Sequence, residues 1–429
     1  MKVSYFAILF FLCFKAMAIE IYPSSQGAIG DGIADDTIAI QKTLTLCSQQ
    51  NAICRLPKGK FFRITQPLFM WGASQLIGTN SGFIFDVATE PYLLNFGISS
   101  KKTTSANNLQ APFTGVINSV HFRVASGAGG RVLYFWRTRG AKILNNRFEV
   151  GSLNYSATSS GNNDNWVGAA NCIRENIEII NNQIFATATN SGSEGIGLGN
   201  FSGALIKDNT VVGVGDDAVG IHFSKNVRIL NNHLQSTHGR IFVANSTEVE
   251  IAYNFHQRIA SLADGKIYPG IALIYVGFEV QKFPVSLTGF YVVPNNINVH
   301  DNTLVYPYNS VDQGSAIYMY SVNNGKVTNN HITNHSLNAN FKASAVHILP
   351  AVETVVQTNG SLVSKVYPVG KIDISSNIAD GAKPLNMVMT GNCSSYVGPV
   401  TVSANTANAF QFYCLGASEK FDSASNKTN

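Results

Sequence analysis

The sequence predicts an all-β chain, a single-stranded right-handed parallel β-helix (solenoid) with an N-terminal capping helix. Three observations carry this. First, the segments Glu194-Gly195-Ile196-Gly197-Leu198, Asp217-Ala218-Val219-Gly220-Ile221 and Arg240-Ile241-Phe242-Val243 repeat one apolar/small alternation at steps of 23 and 22 residues. Alternation of this kind marks short half-buried strands, and a repeat near this period marks a solenoid. Second, an aliphatic-x-aliphatic signature ending in Asn recurs, its last Asn falling at Asn146, Asn182, Asn209, Asn232, Asn254, Asn302 and Asn330. Asn tolerates left-handed turns and can hydrogen-bond up and down a ladder of its own kind. The step of 36 is one coil with an inserted loop, and the step of 48 is read as two coils. Third, only 13% of the 429 residues are charged while 45% are apolar, as expected where strands and turns dominate.

Taken in order, residues 1–18 have the form of a secretion signal. Lys2 is the basic flank, Val3 to Phe14 the apolar segment, and Ala16-Met17-Ala18 a small-x-small cleavage site. The expected location is therefore secreted, extracellular or periplasmic. No stretch reaches the ~20 uninterrupted apolar residues of a membrane span. Gly27 to Thr37 leads into Ile38-Ala39-Ile40-Gln41-Lys42-Thr43-Leu44, a short helix with an apolar side that would lie over the open end of the solenoid. Asp31, Asp35 and Asp36 are expected to cap it. Leu56-Pro57 begins the first coil, and one β-helix domain is expected over 19–415, followed by a polar tail at 416–429. In an oxidising compartment the nearest cysteines, Cys47 with Cys54 and Cys393 with Cys414, are natural disulfides, leaving Cys172 as a buried apolar residue. The polar insert Ser152–Ala170, which contains Trp166, is long for a turn and could wall a groove.

Most of these residues explain a fold, whereas four positions point to a reaction. In the repeat register Asp216 lies over His238, and Glu194 lies under Asp217. Successive coils stand ~4.8 Å apart, so three carboxylates and an imidazole converge within one or two rungs. Gly195, Gly197, Ala218 and Gly220 are expected to point outward and leave the floor open. Arg240 and His222 point outward on the same face, and Arg favours planar carboxylates. A formal charge of +5 and a pI near 8.8 favour an anionic partner. No Lys/Arg run suits nucleic acid.

Here the chain resembles a known family. Gly27 to Gln41 looks like the opening of pectin-lyase-like parallel β-helix proteins. Glu194 to Gly239 resembles the polygalacturonases, whose motifs read Asn-Thr-Asp, Gly-Asp-Asp, Gly-His-Gly and Arg-Ile-Lys. Gly215-Asp216-Asp217 matches the second motif in full, and Thr237-His238-Gly239 keeps the His-Gly of the third. Ser193-Glu194 occupies the place of the first, with Glu for Asp. Gly265-Lys266-Ile267-Tyr268 is the nearest candidate for the last, which makes Lys266 and Tyr268 candidate substrate-binding residues beside Arg240 and His222. The resemblance covers roughly residues 20–340 and implies an inverting glycoside hydrolase acting on a polyuronide of pectin type.

The chemistry of the residues agrees with that implication. An inverting glycosidase needs one protonated carboxyl at the glycosidic oxygen and a carboxylate holding water on the opposite sugar face, ~6.5–9.5 Å away. Asp216 is the expected general acid, Glu194 and Asp217 the pair that orients water, and His238 a tuner of the acid or a hydroxyl ligand. No metal or cofactor is expected, and the chain is expected to act as a monomer on a polysaccharide, without nucleic acid or membrane. Two rivals share the fold. A β-eliminating lyase or epimerase would need a Lys, Arg or Tyr base and commonly a calcium cage; a non-catalytic adhesin or tailspike-like solenoid would tolerate scattered carboxylates.

Overall fold

The computed structural model describes residues 18–87, 92–100, 109–125, 130–150, 155–159, 174–186, 194–262, 265–278, 292–312, 314–356, 362–390, 393–412 and 425–428. Residues 1–17 of the expected secretion signal, Cys172, Cys414 and, apart from 155–159, the insert 152–170 with Trp166 lie outside these residues. The chain winds as a right-handed parallel β-helix. A 12-stranded sheet forms one face, every pair in it parallel; a 26-stranded sheet forms the rest of the wall, and a small antiparallel hairpin pairs Ala351–Val356 with Leu362–Tyr367. The coil register is the one that the sequence repeat predicts. Ile196 pairs with Val219 and Val219 with Ile241, while Leu198 pairs with Ile221 and Ile221 with Val243. These residues are buried, so the interior is one continuous apolar column.

The Asn signature closes one corner of every coil from Asn146 onward. Asn146 accepts from Val120 N, and each ladder Asn after it accepts a backbone N–H and a side-chain N–H from the Asn one coil below. Asn209, for example, donates to the Asn232 oxygen through its backbone at 3.0 Å and through Nδ2 at 3.0 Å. Its Nδ2 also donates to Ile179 O at 2.8 Å. The residue before the ladder Asn holds the positive φ, as at Asn145, Asn181, Asp208, Asn231, Tyr253 and Asp301. Asn254 bonds directly to the Asn302 side chain at 3.0 Å. The step of 48 is therefore one long coil and not the two coils expected: among the described residues between Asn254 and Asn302, the 12-stranded face gains the single strand Ala272–Gly277. The ladder also continues further than the signature shows, through Asn377 and Asn405 to Asn426. Asn426 falls within the polar tail, where Lys427–Thr428 pairs with Thr406–Ala407.

The helix Thr37–Gln50 lies over the first coil and buries Ile40, Leu44 and Cys47. Its side chains supply partners to the strand Leu68–Met70, which starts the 12-stranded sheet. Gln41 exchanges two hydrogen bonds with the Phe69 backbone, at 2.9 and 3.1 Å, and Ser48 Oγ accepts from Trp71 N. An edge that would otherwise offer unpaired groups is thereby closed. The capping carboxylates divide their work differently from the expectation. Asp35, not Asp36, takes the Thr37 N–H at 3.0 Å. Asp36 instead turns back to accept from Ile29 N at 2.7 Å and Gly30 N at 3.0 Å. Cys47 and Cys54 form a disulfide that ties the helix to the first coil.

Candidate active site

The candidate residues sit at the start of three consecutive strands of the 12-stranded face: Glu194–Gly199, Val219–His222 and Ile241–Ala244. Continuing the register two residues back from Ile196–Val219 sets Glu194 level with Asp217. The Gly195 N–H donates to Asp217 O at 2.8 Å, which confirms the alignment. The same continuation from Val219–Ile241 sets Asp216 level with His238. Glu194, Asp216 and His238 are half-buried, whereas Asp217 is only 4% exposed. Burial pushes the Asp217 carboxyl well above the usual carboxylate range, Arg240 opposes that rise, and the nearby charges of Asp216 and Glu194 add to it.

The floor differs from the expected open strip. A Cβ on Gly195 would stand 2.5 Å from Ala218 O and 2.7 Å from Val211 Cγ1, so this glycine lets two coils and the core approach. Ala218 is buried in the apolar column. At Gly220 the lack of a side chain serves the acidic group: a Cβ there would meet Asp217 Oδ2 at 3.2 Å. Asp217 thus folds back over the strand that follows it.

Arg240 does not stand free to read a uronate. Its Nε donates to Asp217 Oδ1 at 3.0 Å, and its guanidinium lies over the rings of Phe242, at 4.2 Å, and Tyr275, at 5.1 Å. His222 packs against the Phe242 ring, 5.0 Å between centroids. His238 stacks on Tyr268 at 4.6 Å, its pKa lowered by burial. Lys266 lies exposed on the same excursion. Of the four expected substrate-binding residues, Arg240 touches the Asp217 carboxylate and Tyr268 touches the imidazole.

Sequence reasoning missed an aromatic row. Phe242, Tyr275, Tyr318 and His347 occupy one register position on successive strands of this face. Phe242 and Tyr275 stack at 5.0 Å, Tyr275 and Tyr318 at 5.3 Å, and Tyr318 meets the His347 ring edge-on at 5.3 Å. Tyr275, Tyr318 and His347 are half-exposed. Loops of unequal length separate these residues, so no period marks them in the sequence. Sequence reasoning missed a second feature, a buried pair of Arg258 and Asp312 below His238. Only the strand parity of Arg258, which falls inward beside His256, could have marked it.

No protein-family profile and no curated protein matches the chain. Solved structures do. A surface adhesin of Streptococcus pneumoniae, PfbA, superposes with a TM-score of 0.51 at 12% identity, over 95% of this chain and 93% of that one. The A-module of a mannuronan C-5 epimerase from Azotobacter vinelandii gives 0.50 at 13% identity, over 92% and 95%. An exopolygalacturonase from Thermotoga maritima gives 0.48 at 13% identity, over 92% and 91%. At such identities the likeness concerns the path of the backbone. That path is the parallel β-helix, the fold to which the repeat register, the Asn ladder and the superpositions on the adhesin and the epimerase module all lead.

Proposed function

We propose that the protein hydrolyses a polysaccharide, a polyuronide of pectin type, by an inverting acid/base mechanism. One observation carries the reading: Glu194, Asp216 and Asp217 converge with His238 across three adjacent rungs of one sheet face. The fold does not choose for itself, since an adhesin and an epimerase share it; the choice rests on the residues. Asp216 is the general acid, because it is the more accessible of the adjacent pair and stands level with His238. Glu194 and Asp217 hold and activate the water, with Arg240 aligning Asp217. The row from Phe242 to His347 supports a sugar chain lying along the solenoid axis, since half-exposed rings stacked coil on coil offer it a continuous line of ring edges. The positive overall charge favours an acidic glycan. Secretion and a monomeric state remain part of this reading.

The test is incubation with a panel of polyuronides, following reducing ends and the ultraviolet absorbance of unsaturated products together. Hydrolysis predicts reducing ends without absorbance, undiminished by a chelator. Calcium-dependent, absorbing product would replace the proposal with an eliminase. Asp216→Asn keeps the shape and removes the proton, so turnover should fall ~10²–10⁴-fold in a folded protein. Near-normal turnover would remove Asp216 from its role.

A further inference from the structure

The corner of the solenoid below His238 encloses two charges. Arg258, the last residue of the strand Phe255–Arg258, is 0% exposed. Its Nη1 donates to Gly239 O at 2.8 Å and its Nη2 to Ala272 O at 3.0 Å, while Nε lies 3.5 Å from Asp312 Oδ2. Asp312, 1% exposed, accepts from Gly270 N at 2.5 Å and from Ser310 Oγ at 2.6 Å. A Cβ on Gly270 would stand 2.1 Å from Arg258 Nη2, so that residue must be glycine for the guanidinium to fit.

Both ends of one ring contact are gripped by this pair. Gly239 follows His238 directly, and Gly270 comes two residues after Tyr268, whose ring lies on the imidazole. Ala272 and Asp312 belong to the next two coils, since Ile241 pairs with Ile274 and Ala272 with Ser315. Desolvating two charges is costly, and a well-packed apolar pair would fill the corner as stably. What an apolar pair could not do is hold the carbonyl of Gly239 and the N–H of Gly270 at once.

We propose that Arg258 and Asp312 are positioning residues, which lock the His238–Gly239 turn and the 265–271 segment together so that Tyr268 holds the imidazole beside the acidic trio. The inference rests on the reading of His238 as part of the site. The groups facing His238 are Asp216 on the neighbouring coil, Tyr268 across its ring, Arg240 two residues along, and Arg258 with Asp312 beneath; His256 lies behind Ser236, 2.9 Å from its hydroxyl. Besides burial, Arg258 lowers the imidazole pKa and Asp312 raises it.

The test is an NMR titration of the His238 ring, with histidine-selective labelling, in the wild-type chain, Asp312→Asn, Arg258→Gln and the double variant Arg258→Met/Asp312→Leu. The midpoint should fall in Asp312→Asn and rise in Arg258→Gln, each by ~0.5 unit. In the double variant, where packing replaces charge, the fold should persist while the His238–Tyr268 ring contact is lost and kcat falls ~10-fold with KM little changed. If Arg258→Gln does not fold, Asp312→Asn and the double variant decide. Folded variants that titrate at the wild-type midpoint and keep the ring contact would overturn the inference. Opposed shifts in a chain that cleaves no glycan would uphold the tie and remove the hydrolase reading.

Discussion

Asp217 is pulled in two directions, and the balance makes a prediction about pH. Burial and the charges of Glu194 and Asp216 favour its neutral form, while Arg240 favours the ionised one. To hold and activate water, Asp217 must be ionised, so the acidic limb of kcat/KM should lie above the ordinary carboxylate range. Arg240→Gln removes the opposing charge, raises the Asp217 pKa further, and should therefore move that limb to higher pH. A limb that stays in place would detach Asp217 from catalysis. Glu194 reaches about one methylene further than the Asp of the polygalacturonase motif. If it belongs to the water site, Glu194→Gln should cost nearly as much turnover as Asp217→Asn, and the double variant much less than the combined losses, since groups acting as one unit are non-additive. A Glu194→Gln turnover near wild type would make Glu194 a turn residue. At this scale the motif Gly215-Asp216-Asp217 was visible in the sequence. The attachment of Arg240 to Asp217 was not, because a side chain's partner depends on which rotamers meet across coils.

Among the elements, the Asn ladder is the most legible and also the most testable. Asn232 accepts from the Asn209 backbone and side chain, donates to Ile206 O at 3.0 Å, and donates to Asn254. Asn232→Ala leaves several buried groups unpaired and should cost about 3 kcal/mol in denaturant unfolding. The residue before the ladder Asn holds a positive φ from Asn145 to Ala404, and Ala404 does so, at φ 54°, without the short polar side chain that eases this conformation at Asn and Asp. Ala404→Gly should therefore stabilise by about 0.5–1 kcal/mol, measured in the same way. A loss there would mean that Ala404 contributes something besides its backbone. The counting of coils failed at the 48-residue step for a related reason. Spacing reports how many residues separate two rungs, and a longer connection lengthens a coil without adding one.

For the whole molecule, stability in a solenoid is passed between neighbouring coils, so its ends matter more than its length. The Cys47–Cys54 bond and the Gln41 and Ser48 contacts fasten the helix to the first coil. Cys47→Ala/Cys54→Ala should lower stability by about 2 kcal/mol. In hydrogen exchange the loss of protection should be confined to the helix and the strands up to Ile64. Uniform loss along the chain would mean that the cap and the coils unfold as one unit.

The sequence by itself determined the fold class, the register of the central coils, the Cys47–Cys54 pair and the convergence of Glu194, Asp216, Asp217 and His238. The cysteine pair follows from nearness in the chain; the others follow from local periodicity, since a parallel solenoid converts spacing along the chain directly into neighbourhood across it. Tertiary structure alone decided what fills the floor beside the carboxylates, which cation Asp217 meets, how the aromatic row lines up and what lies beneath His238. Those contacts join residues separated by excursions of unequal length, and they depend on side-chain direction and burial, which no period records.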